Sequence, residues 1–151
     1  MLVLLGAHLV ACGEEKRNWF DDPFAQATSG LPDCPVPAPP ALSEQEVRDT
    51  AHKRAQAGTS CYLSGRCRLP NSYLYDKEIV PRVVRFLQND DRFADTSVWV
   101  LGERRIVYVM GCVRTKEQAA AVEEAAGHVD DVMGVVNLLG IGTAEPPRYE
   151  T

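Results

Sequence analysis

The sequence predicts an α+β protein: a single αββαβ domain, with a three-stranded sheet and two helices on one face, preceded by a disulfide-stapled helical extension. Three observations lead there. The hydrophobic period of the second half changes from helical to alternating and back. Capping boxes at Ser43/Glu46 and Thr115/Gln118 mark two helix starts. Four cysteines, Cys34, Cys61, Cys67 and Cys112, straddle the boundary between a proline-rich first part and this patterned second part.

The chain has 151 residues, 45% hydrophobic and 25% charged, which suits one core and excludes a disordered chain. A net charge of -5 argues against a nucleic-acid partner, because neutralising a phosphate backbone requires surplus Lys and Arg.

Leu2 to Val10 is an apolar run, broken only by Gly6, Ala7 and His8, and far short of the roughly 20 residues that span a bilayer. Its length is that of a signal h-region, although no basic residue precedes it. The following Leu9-Val10-Ala11-Cys12 resembles the lipobox of bacterial lipoproteins, so 1–11 reads as a signal peptide and Cys12 as the lipidation site. Acyl chains there imply membrane attachment through the N-terminus. By analogy with lipoprotein sorting, Gly13 implies an outer-membrane address facing the periplasm.

Residues 12–42 read as a Pro-rich linker, with six of the chain's ten prolines falling between Gly13 and Leu42. An extended spacer of this kind, at about 3.1 Å per residue, would hold a domain tens of ångströms from a membrane. Trp19, Phe20 and Phe24 suit either the headgroup zone or docking on the domain. Residues 43–75 form the extension, a helix over Glu44 to Ala57 with a thin apolar stripe (Val47, Ala51, Ala55), then the Cys61–Cys67 loop.

With Cys12 lipidated, four cysteines remain in an oxidising compartment, which predicts two disulfides whose connectivity stays open. Cys112 has only upstream partners, so full pairing ties the extension to the domain. Zinc is disfavoured, since its sites use close pairs such as C-x₂-C and the nearest pair here has five intervening residues.

Residues 76–142 form the domain. Ile79, Val83, Phe86 and Leu87 recur at helical spacing, and Pro81 places the start of the regular helix at that residue. Ser97 to Leu101 and Ile106 to Val113 read as a hairpin around Gly102 to Arg105. In the second strand Val107, Val109, Gly111 and Val113 share one face, and Ile106, Tyr108, Met110 and Cys112 the other. Both faces are apolar, so both should be covered, one by helices and one by the extension. Lys116 to Ala126 is a helix stopped by Gly127, Val135 to Ile141 a last strand, and 143–151 a polar tail.

Val107-Tyr108-Val109-Met110-Gly111-Cys112-Val113, the capped helix from Thr115, and Val129-Asp130-Asp131-Val132-Met133-Gly134-Val135-Val136-Asn137-Leu138 together resemble the BON domain, named for bacterial OsmY and nodulation proteins. Asp131 stands where that family usually has glycine, and an Asp can adopt the left-handed turn. The resemblance implies an envelope protein without catalytic chemistry or cofactor, associated with phospholipid and membrane integrity. The residues themselves point the same way, because His8, His52 and His128 have no triad partners at useful spacing and no phosphate-cradling glycine loop occurs.

Residues 76 to 151 hold nine Lys plus Arg against thirteen Asp plus Glu, so contact with anionic phospholipid must be local. Candidate contacts are Arg104 and Arg105 at the hairpin turn, Arg114 after the strand, and Arg66 and Arg68 at the cysteine loop. The resulting expectation is a lipid-anchored envelope protein contacting phospholipid or an envelope protein partner. The alternative is a structural adaptor lipoprotein of a secretion or outer-membrane assembly.

Overall fold

A computed structural model describes residues 14–151. The expected signal segment and Cys12 lie outside the described residues. The elements in order are β1 (Phe24–Ser29), α1 (Glu44–Gln56), α2 (Thr59–Leu63), α3 (Ser72–Gln88), β2 (Ser97–Glu103), β3 (Ile106–Val113), α4 (Lys116–Gly127) and β4 (Gly134–Ile141).

The αββαβ order is present as α3-β2-β3-α4-β4, but the sheet has four strands, in the order β1-β2-β3-β4. β1 pairs antiparallel with β2, and β4 runs parallel to β3 after the α4 crossover. The added strand comes from the segment expected to be a free linker. Its six residues lie between prolines at 23 and 32. As an edge strand it needs ladder bonds on one side only, which the flanking prolines do not obstruct. A bulge between Gln26 and Thr28 turns Ala27 into the core, and Thr28 Oγ1 accepts the Val98 amide at 3.0 Å.

The rest of 14–42 also folds onto the body. Arg17 and Leu42 form a β-bridge, Trp19 donates its indole N–H to the Leu42 carbonyl at 2.8 Å, and Arg54 stacks over Phe20 and Tyr73. The three early aromatics are therefore docked, Phe24 within β1. Glu14 accepts the Gln45 amide at 3.3 Å, so the folded body begins two residues after Cys12. No long spacer separates the two.

α3 starts at Ser72, nine residues before Pro81. The Asn71 side chain caps the Tyr73 amide, and Tyr75, Asp76, Ile79 and Val80 are buried, so tertiary packing holds the turns that Pro81 weakens. Pro81 itself lies on the exposed side. α3 and α4 pack on one face of the sheet over Val98, Val100, Val107, Val109 and Val113. On the opposite face Trp99, Met110 and Cys112 are also buried. The cover comes from the proline-rich segment and the tail rather than from the 43–75 extension expected there: Cys34 bonds Cys112, Tyr149 donates to the Pro35 carbonyl, and the Ala38 amide donates to the Glu150 carbonyl.

Of the two predicted capping boxes, the first forms in full and the second only in its N-cap half. Ser43 and Glu46 bond reciprocally, while Thr115 caps Gln118, whose side chain reaches back one residue further, to the Arg114 amide. Asp131 adopts φ 74°, the left-handed turn that glycine would otherwise supply.

Candidate contact surface at the cysteine loop

The two bridges are Cys34–Cys112 and Cys61–Cys67. The first ties the proline-rich segment to β3. The second closes a small loop that continues from α2 and ends beside the β2–β3 turn. Together they use all four cysteines.

Arg104 and Arg105 form that turn with φ of 52° and 70°, a geometry unfavourable for side-chain-bearing residues. Asp76, fully buried on α3, offsets the cost: its carboxylate accepts both turn amides, at 2.8 Å from Arg104 and 2.7 Å from Arg105. Burial pushes the Asp76 carboxyl up to about 6, and the Arg105 and Arg104 amides act in the opposite direction. Gly102 belongs to the same arrangement, since a Cβ there would stand 2.8 Å from Val80 Cγ2 and 3.0 Å from Asp76 Cβ.

The Arg105 side chain turns toward the cysteine loop. It donates to the Asp131 carbonyl at 2.8 Å, stacks 4.4 Å from the Tyr75 ring centroid, and places Nη1 3.8 Å from Cys67 Sγ. Arg82 and Arg68 donate to the Asp131 carboxylate at 3.1 and 3.4 Å, and Arg68 also pairs with Glu78 at 2.7 Å. Burial works against ionisation of Asp131, but Arg82 and Arg68 hold its carboxyl below the usual range. The hydrogen bond from Arg68 likewise lowers Glu78. This network locks the cysteine loop, α3, the hairpin turn and the α4–β4 connection into one end of the molecule.

Beyond the network the loop is bare. Leu63 is 78% exposed and Tyr62 43%, and Met133, whose amide donates to the Arg105 carbonyl, is 70% exposed. The Arg66 side chain bonds only Ser64 and has no acidic partner among the described residues. Three arginines, at 68, 82 and 105, thus share two carboxylates, at 78 and 131, with Arg66 beside them, in a chain whose overall charge is -5.

The five predicted contacts do not form one patch. Arg66, Arg68 and Arg105 come together at this end, with Arg68 and Arg105 engaged in the network. Arg104 lines a cleft of about 700 Å³ between the sheet and the proline-rich segment, floored by Leu101, Tyr108, Met110 and Leu138. Arg114 is paired with Asp95 at 2.9 Å, at the other end of β3, about 30 Å away at roughly 3.4 Å per residue. Arg82, Tyr62, Leu63 and Met133 were not among the predicted contacts. Leu63 had a signal, an apolar residue within a cysteine-bounded loop too short to bury it.

These features define a disulfide-bonded α+β module with exposed apolar side chains and arginines at its cysteine-loop end. Residues 75–143 match the family model of the BON domain, and the chain carries a BON domain there. BON domains are a lipid- or protein-binding type of domain, typical of periplasmic or envelope-associated proteins. No curated protein and no solved structure matches the chain. Among the described residues no helix is long and apolar enough to cross a membrane.

Proposed function

We propose that this is a lipid-anchored, non-enzymatic outer-membrane protein that faces the periplasm and presses the cysteine-loop end of its BON domain against anionic phospholipid. The observation that carries the reading is Leu63, exposed beside Tyr62 and Arg66 on a loop that Cys61–Cys67 holds closed. An apolar tip, an amphipathic tyrosine and an unpaired guanidinium suit the acyl boundary, the headgroup zone and the phosphate, respectively. A closed loop loses little entropy on insertion.

Lipidation of Cys12 would complement this contact. With Glu14 already bound to the body, the anchor is at most about 7 Å of chain from the fold, so the body would lie on the membrane surface. Intrinsic affinity can then be weak. Partial burial of Leu63 contributes about 1 kcal/mol, and each arginine near an anionic surface about 1 kcal/mol.

Flotation of the chain from Gly13 onward with phosphatidylglycerol vesicles at low salt tests the contact. Binding should fall about fivefold for Leu63→Ala and again for Arg66→Ala, and should persist in Arg114→Ala. Absence of binding by the unmutated chain overturns phospholipid contact and leaves an envelope protein as the partner. Intact mass of membrane-extracted protein tests the anchor, with acyl additions at Cys12 and loss of residues 1–11 expected.

A further inference from the structure

The two disulfides sit in opposite electrostatic surroundings. Around Cys34–Cys112 the polar neighbours of Cys34 Sγ are oxygens, those of Pro35, Ser97 and Tyr149, each at 3.9 Å, and Cys112 is buried. The two carbonyl oxygens cannot donate to a thiolate, the Tyr149 hydroxyl already donates to the Pro35 carbonyl, and none of the three carries positive charge. Cys67 is flanked in sequence by Arg66 and Arg68, and the Arg105 guanidinium donates toward its sulfur at 3.8 Å. Cys61 lies between Ser60 and Tyr62, with no such cation in contact among the described residues. Both Cys61 and Cys67 are partly exposed.

We infer that Cys61–Cys67 is an exchange-competent redox site, attacked at Cys61 and opened with Cys67 as the leaving thiolate, whereas Cys34–Cys112 is a permanent structural bridge. Neighbouring cations lower a thiol's pKa, and the sulfur with the lower pKa leaves faster. The co-reactant is a dithiol, such as that of a thiol–disulfide oxidoreductase. Its first thiol loses a proton to water, and the resulting thiolate attacks Cys61 Sγ. A mixed disulfide forms with Cys61, the Cys61–Cys67 bond breaks, and its electron pair leaves on Cys67 Sγ beside Arg105. The second thiol, also deprotonated, then attacks the co-reactant's own sulfur and releases Cys61 as a thiolate, which takes a proton from water. The dithiol becomes a disulfide and the protein gains two electrons, with Cys67 protonated according to its own pKa.

The test is a titration of the full chain in glutathione redox buffers, followed by acid quenching, alkylation and peptide mass spectrometry. Cys61–Cys67 should open at far less reducing ratios than Cys34–Cys112, and the trapped glutathione should sit on Cys61 with Cys67 alkylated. In the opened protein the pH dependence of Cys67 alkylation should fall below the ordinary thiol value of about 8.5. Arg105→Ala should slow opening at least threefold, and Arg105→Lys should restore most of it. Simultaneous opening of both bridges, glutathione on Cys67, or a Cys67 titration at or above the ordinary value would each overturn the proposal. Because these three outcomes are read on the unmutated chain, they hold whether or not the Arg105 variants fold.

Discussion

The carboxylate of Asp76, fully buried between α3 and the β2–β3 turn, holds two backbone amides at residues forced to positive φ. Its pH dependence has a defined sign. Burial raises the folded-state value to about 6, above the ordinary 3.8, so the folded protein holds a proton that the unfolded chain releases in this window. The contribution is fully present below about pH 4 and is lost as pH rises through 6. Subtracting Asp76→Asn removes the background of the other carboxylates. In urea denaturation, the stability gap between wild type and Asp76→Asn should narrow by up to about 3 kcal/mol from pH 4 to pH 7. A gap independent of pH would contradict the assignment. Gly111 offers a second single-residue test. At φ 121° its Cβ would meet the Ser97 carbonyl oxygen at 2.0 Å, so Gly111→Ala should cost at least about 2–3 kcal/mol in the same measurement.

At the scale of elements, the bridges differ in what they constrain. Cys34–Cys112 spans 78 residues and Cys61–Cys67 only 6, so loop-closure entropy assigns them about 4–5 and about 2 kcal/mol. Replacing Cys34 and Cys112 with Ser should therefore lower the urea midpoint about twice as far as replacing Cys61 and Cys67, and should release β1 to fast hydrogen exchange while α3 and α4 stay protected. The elements also differ in how legible they were. The caps at Ser43 and Thr115, the hairpin and α4 follow from local chemistry and were readable. β1 was not, because Phe24–Ser29 buries only Ala27 and is held by backbone pairing and Thr28, neither of which leaves a hydrophobic period. The start of α3 was hidden by Pro81, whose local effect is overridden by the burial of Tyr75, Asp76 and Ile79. Of the contact surface, the arginines at 66, 68 and 105 could be named from sequence. Their pairing with Glu78 and Asp131, which separates network cations from the unpaired Arg66, depends on tertiary distances between residues up to 63 positions apart.

For the molecule as a whole, the proline-rich segment proves to be a wall of the domain, so attachment at Cys12 would bring the body to the membrane rather than suspend it. On the proposed reading the basic and apolar end, with exposed Leu63, Tyr62, Arg66 and Met133, would be the surface offered to lipid, while Arg114 lies at the far end of β3. The most direct measurement is paramagnetic relaxation of backbone amides in the presence of phosphatidylglycerol nanodiscs carrying a gadolinium-headgroup lipid. Contact through the cysteine-loop end predicts the strongest enhancement at residues 62–66 and 130–133 and little at 114–118. A maximum near Arg114, or uniform weak enhancement along the chain, would contradict it.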